Sequence, residues 1–123
     1  MITSPAKLSR AVWGFVIGDA LGVPAEFCSR AELQRSPITG MTGYGTHSQP
    51  PGTWSDDGAQ ALVLLDSLLA NDGLDLEHFA HGLTRWLHQG FCAVNNSVFD
   101  IGAQTSTAIN QLMQGVPADR SGP

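Results

Sequence analysis

The stretch Gly52-Thr53-Trp54-Ser55-Asp56-Asp57-Gly58 runs without a break into Ala59 to Leu69, a segment that is apolar on nearly every face. An apolar segment of that length with no alternation reads as a helix for the centre of a domain. Asn71-Asp72-Gly73 closes it, glycine being suited to the left-handed position after a helix. The expected helix therefore covers Asp56 to Asn71, and its first turn is its most informative part. Ser55, Asp56 and Asp57 supply three hard oxygen donors on consecutive residues, which suits a small divalent cation. Two carboxylates about 4 Å apart repel by roughly 1 kcal/mol in water and about 4 kcal/mol at an effective dielectric of about 20. A helix N-terminus returns only about 0.3–1 kcal/mol per charge. If the pair is exposed, an acidic first turn capped by Ser55 accounts for it; if it lies in a cleft, a cation is needed. Spacing alone favours the capped turn.

Upstream, Leu8 to Leu21 is apolar with helical spacing and carries Gly14, Gly18 and, just beyond, Gly22. Steps of four place these glycines on one face, where another backbone can approach. Each interior glycine costs about 0.8–1 kcal/mol against alanine, so close packing is the expected compensation. Asp19 lies within this apolar helix and needs a hydrogen-bonding partner, which the sequence does not name. Pro24 ends the helix and leaves Glu26 in an irregular segment, where it reads as a general base, a residue orienting one, or a surface carboxylate. Ser29-Arg30-Ala31-Glu32 is a capping box opening a short helix that Pro37 stops. Residues 38–54 form a Gly/Pro-rich loop, and a loop that long is usually functional. It lacks the Gly-Lys-Ser/Thr ending of a phosphate-binding loop.

Downstream, Asp75 caps a helix to about Gln89 with Leu76, Phe79, Leu83, Trp86 and Leu87 as its core face, and Gly90 ends it. A last helix covers roughly Gly102 to Gln114, terminated by Gly115-Val116-Pro117, with Asp100 read as its N-cap. Period-two alternation of strand length is absent, so the expected class is all-α, one domain over residues 1–123. His78, His81, His88 and Cys92 match no standard zinc spacing; these histidines and His47 read as solvated or partly buried. Ser55 is not in a Gly-x-Ser-x-Gly elbow, which argues against a serine hydrolase.

Composition narrows the function classes. Net charge is −5, Lys7 is the sole lysine and there is no basic stripe, so no nucleic-acid partner is expected. No apolar run reaches the roughly 18 residues that span a bilayer, and no signal peptide is legible, so neither a membrane nor a secretory route is expected. Cys28 and Cys92 read as free thiols of a cytoplasmic protein.

Four blocks in this order resemble the N-terminal part of the ADP-ribosylglycohydrolase family and span nearly the whole chain. They are Gly14 to Phe27, with Gly18-Asp19-Ala20-Leu21-Gly22 and Pro24-Ala25-Glu26; Gly52 to Gly58; the Arg85-Trp86 helix ending; and Phe99-Asp100-Ile101-Gly102-Ala103-Gln104-Thr105. The resemblance implies the all-α fold of that family and a binuclear magnesium or manganese site. It also implies hydrolysis that frees ADP-ribose from a modified protein side chain or a related ADP-ribosyl compound. The family's Thr-Asp-Asp-Thr motif falls on Ser55-Asp56-Asp57-Gly58, making Ser55, Asp56 and Asp57 the metal ligands, with Gly58 departing from threonine. Glu26 matches a carboxylate near the ribose and metals, so Glu26 or Asp57 is the expected catalytic base. Asp100, Gly102 and Thr105 match the substrate side.

Family members are usually more than twice this long, and their second metal motif, Asp-x-Asp-Thr, is absent from this chain. Each ion needs about six oxygen ligands, which Ser55, Asp56 and Asp57 alone do not supply. The alternatives are an incomplete enzyme, a split enzyme with a complementing C-terminal half, and an inactive module that binds ADP-ribose or a protein. The absent helices predict exposed apolar surface and self-association.

Overall fold

Capping chemistry sets the helix boundaries. The computed structural model describes residues 4–123, with five α-helices: α1 (Pro5–Gly22), α2 (Arg30–Arg35), α3 (Asp56–Ala70), α4 (Leu76–Gln89) and α5 (Ala103–Met113). Short 3₁₀ turns lie at Val23–Ala25, Gly45–His47, Val94–Asn96 and Ala118–Arg120. Among the described residues the only β pairing is an isolated bridge between Tyr44 and Gln49, so the class is all-α. No described helix is long and apolar enough to cross a membrane. The chain divides into two compact units, one ending at Gly58 and one beginning at Ala59.

In the first unit, α1 starts earlier than its apolar pattern does. Ser4 caps it by accepting from the Lys7 N–H, and Pro5 fits the first helical position because its missing N–H would have no partner there. One face buries Val16 and Ala20. The glycine face does not pack as its spacing predicts: among the described residues nothing lies within 4 Å of a Cβ built at Gly14, Gly18 or Gly22. Trp13, Phe15 and Ile17 are exposed beside them, Trp13 by 64%. The helix is thus apolar on both sides but covered on one. The Ser29 capping box forms as read, with Ser29 N–H on Glu32 Oε2 at 2.7 Å and Glu32 N–H on Ser29 Oγ at 3.2 Å.

In the second unit, Ala59, Val63 and Ser67 make the buried row of α3, while Leu69, four residues beyond Leu65, is 70% exposed. Gly82 lets α4 approach this row, since a Cβ there would sit 2.6 Å from Val63 Cγ1. Asp75 caps α4 through the His78 N–H at 2.9 Å, and Trp86 is its largest fully buried side chain. Leu76, expected on the core face, is exposed, because it stands at the first residue of the helix.

The ends of α3, α4 and α5 share one pattern. Gly90 and Gly115 are left-handed, and the next residue's N–H reaches back to Arg85 and Gln111 respectively. At the end of α3 the left-handed residue is Asp72 (φ 51°), one place before the expected Gly73, whose N–H bonds the Leu68 carbonyl. At α5 the cap reading of Asp100 is corrected. Gly102 holds the cap position without a side-chain bond, and Asp100 lies two residues earlier in a left-handed conformation (φ 58°).

Candidate functional site

Asp19 finds its partner at the acidic turn. Its Oδ2 accepts the Ser55 N–H at 2.8 Å and the Gly58 N–H at 2.9 Å, and its Oδ1 accepts the Ser55 hydroxyl at 2.7 Å. The first N–H groups of any helix lack intrahelical acceptors. Here a carboxylate from another helix serves them, so Asp19 fixes the start of α3. Ser55 also accepts the Asp57 N–H at 3.3 Å, and the residue is only 3% exposed. Ser55 is therefore a cap, as its spacing suggested, and is simultaneously gripped by α1.

This arrangement gives glycine at 58 a reason. A Cβ there would stand 2.6 Å from Asp19 Oδ2 and 2.8 Å from Trp54 Cβ. The threonine of the resembled motif would require both neighbours to shift. Asp57 is exposed and Asp56 half-buried, so a buried serine and an open carboxylate flank the helix start.

A second group forms where the long loop folds back on the Val23–Ala25 turn. Gly43 (φ 63°) lies against Pro51 and Gly45 (φ 59°) against Pro24, each too close for a Cβ. Between them the Tyr44–Gln49 bridge closes a small loop holding the Gly45–His47 turn. Thr46 Oγ1 donates to the Glu26 carbonyl at 2.5 Å, and His47 Nε2 meets Glu26 Oε2 at 2.5 Å. The His47 side chain is 14% exposed and that of Glu26 35%. The Phe27 ring stands edge-on to the imidazole, centroids 6.0 Å apart. Glu26 is thus a held carboxylate, and its pairing with His47 is the contact that sequence reasoning missed. The available signal was the pair of glycines two apart before it; the partner lies twenty-one residues away.

The other predicted residues lie in the second unit. Asp100 is half-buried, Gly102 is exposed, and Thr105 is half-buried in the first turn of α5. A Cβ at Gly102 would meet only Thr105 Oγ1, at 3.7 Å, so this turn is open. His81 and His88 are exposed, and His78, His81, His88 and Cys92 do not gather at ligand distance. Cys28 and Cys92 are free thiols, and burial pushes Cys92 above the ordinary thiol range.

Residues 3–123 match the sequence profile of the ADP-ribosylglycohydrolases. An ADP-ribosylarginine hydrolase of Serratia proteamaculans is 36% identical over 108 residues, covering 88% of this chain and 29% of that protein. A hydrolase of the same name from Pseudomonas putida is 36% identical over 107 residues, 86% of this chain and 28% of its own length. The ADP-ribosyl-(dinitrogen reductase) glycohydrolase of Rhodospirillum rubrum is 33% identical over 101 residues, 78% of this chain and 34% of its own. The chain therefore spans about a third or less of these three relatives.

Proposed function

The chain belongs to the ADP-ribosylglycohydrolase family, and on that premise we propose that it carries part of a metal-dependent site for hydrolysing an ADP-ribosyl bond. The substrate class is a protein side chain bearing ADP-ribose, or a related ADP-ribosyl compound, met in the reducing cytoplasm where Cys28 and Cys92 stay thiols. The observation that carries the reading is the anchored turn: Asp19 holds Ser55 while Asp57 stays open to solvent.

The donor set fits a magnesium or manganese ion. All the candidate ligands are hard oxygens, and Ser55 Oγ keeps a spare lone pair after donating to Asp19 and accepting from Asp57. Ser55, Asp56 and Asp57 would hold such metal. When bound, a divalent cation polarises ribose oxygens and stabilises charge at the breaking glycosidic bond. Overall, water adds to the anomeric carbon and its second proton leaves with the side chain, giving free ADP-ribose. Glu26, held by the His47 Nε2 contact, takes that proton from the water and passes it to the departing side chain; Asp57 is the other carboxylate suited to the task. Asp100, Gly102 and Thr105 bind the ADP-ribosyl part, the bare glycine letting the ligand approach the open first turn of α5.

A second reading is an inactive module for ADP-ribose or for a protein; Gly58, standing where the family motif has threonine, favours it. Calorimetry with ADP-ribose, with and without magnesium, separates these readings. Magnesium-dependent binding that Asp56→Ala and Asp57→Ala abolish is the expected result. Binding that ignores magnesium supports the module, and hydrolysis that survives both substitutions overturns the metal-dependent mechanism. Neither metal nor nucleotide affinity, with self-association intact, marks a protein-interaction role.

A further inference from the structure

We propose that Asp19 is a positioning residue that keeps the Ser55 hydroxyl oxygen available to a metal ion. The inference rests on the metal reading of Ser55, Asp56 and Asp57 given above. A hydroxyl has one proton to give and two lone pairs, whereas an ionised carboxylate only accepts. The Ser55 O–H points to Asp19 Oδ1 at 2.7 Å, so its proton is committed to the carboxylate. One lone pair takes the Asp57 N–H at 3.3 Å. The other remains for a cation.

Asp19 also clamps the backbone on either side of the two carboxylates. Oδ2 holds the N–H groups of Ser55 and Gly58, which bracket Asp56 and Asp57. The close fit at Gly58 belongs to the same device, since a Cβ there would press on that oxygen. Residues that orient a metal ligand without touching the metal typically change affinity about 10- to 100-fold when replaced.

Asparagine at 19 isolates the effect because it preserves size and most of the bonding. Its amide oxygen can still receive the two backbone N–H groups. Its NH₂ then faces Ser55 Oγ, where the carboxylate had only accepted. Ser55 must now accept from Asn as well as from Asp57, and both lone pairs are used. The hydroxyl stays in place while its ability to ligate is lost.

The test is titration of the full chain with Mn²⁺ alone, read by the electron paramagnetic resonance of the free ion. Asp19→Asn should weaken binding by about 10- to 100-fold. Ser55→Ala should weaken it by a similar factor, and the double variant should bind no more weakly than Ser55→Ala. Additive losses in the double variant would overturn the inference, because Asp19 would then act by another route. Unchanged affinity in Asp19→Asn overturns it too. Should Asp19→Asn not fold, Ser55→Ala still decides, since its backbone bond to Asp19 is untouched: wild-type affinity there refutes the proposal. Wild-type chain that binds no Mn²⁺ overturns the metal reading and this inference together, whereas wild-type affinity in Asp19→Asn with weakened binding in Ser55→Ala overturns this inference alone.

Discussion

Replacing Asp19 by alanine removes the acceptor for three donors at once, and the expected loss of stability follows from where those donors lie. Ser55 is 3% exposed and Gly58 is buried, so their N–H groups cannot simply turn to bulk water. The Ser55 hydroxyl can rotate and is left out of the sum. Each buried N–H deprived of its partner costs about 1–3 kcal/mol, giving about 2–6 kcal/mol for the pair. Asp19 itself is half-buried, so water entering the vacated space offsets part of this. The working figure is a loss of about 2–4 kcal/mol, a large share of the roughly 5–15 kcal/mol that holds a domain folded. Urea unfolding followed by far-ultraviolet circular dichroism and by tryptophan fluorescence, to which Trp54 contributes, measures it. Asp119→Ala, at an exposed carboxylate, is the control and should stay within about 0.5 kcal/mol of wild type. If Asp19→Ala costs no more than Asp119→Ala, the clamp does not hold the turn.

Gly58→Ala tests the close fit on its other side. Helix propensity alone predicts a gain of about 0.8–1 kcal/mol. Overpacking against Asp19 Oδ2 and Trp54 costs about 1–3 kcal/mol, so urea midpoints should fall or stay level; a clear rise would contradict the fit. The two thiols should differ in reactivity. Cys28 is exposed, whereas burial first, and then Asp66, raise Cys92, with Arg85 opposing, so iodoacetamide near neutral pH should label Cys28 first by mass spectrometry. Because the folded state favours the neutral Cys92 thiol, its contribution to stability is present below the ordinary thiol range and lost as pH rises through the raised value. Cys92→Ser should remove that alkaline decline from urea unfolding curves.

What the sequence made legible was the local chemistry. The Ser29–Glu32 box, the Asp75 cap and the glycines at 90 and 115 depend on neighbours three to six residues away, and each formed as its spacing required. The acidic turn was legible as a cap, and the family blocks marked it as a candidate site. Long-range pairings were not legible. Asp19 meets Ser55 across thirty-six positions, and Glu26 meets His47 across twenty-one. Nothing in periodicity specifies either. The second depends on Gly45 packing on Pro24 with a left-handed backbone, which composition marks only as part of a Gly/Pro-rich loop. The open glycine face of α1 was misread for a related reason: helical spacing tells which residues share a face, and says nothing of whether a neighbour is there to fill it. Asp100 was misread as a cap because the helix begins with a bare glycine instead of an oxygen-bearing side chain.

The Asp19 clamp also bears on the order in which the molecule assembles. Closing a loop of thirty-six residues costs roughly 3 kcal/mol of chain entropy beyond a fixed constant. That cost is met in one step, by three donors converging on a single side chain, and only once α1 and the start of α3 each exist. Nascent helices can come and go on submicrosecond timescales without the turn having its final shape. The clamp is accordingly expected to be absent from the folding transition state. Its loss should then speed unfolding and leave the folding rate nearly untouched. The oxygens at the start of α3 would be the last part of this unit to reach their places and the first to leave them.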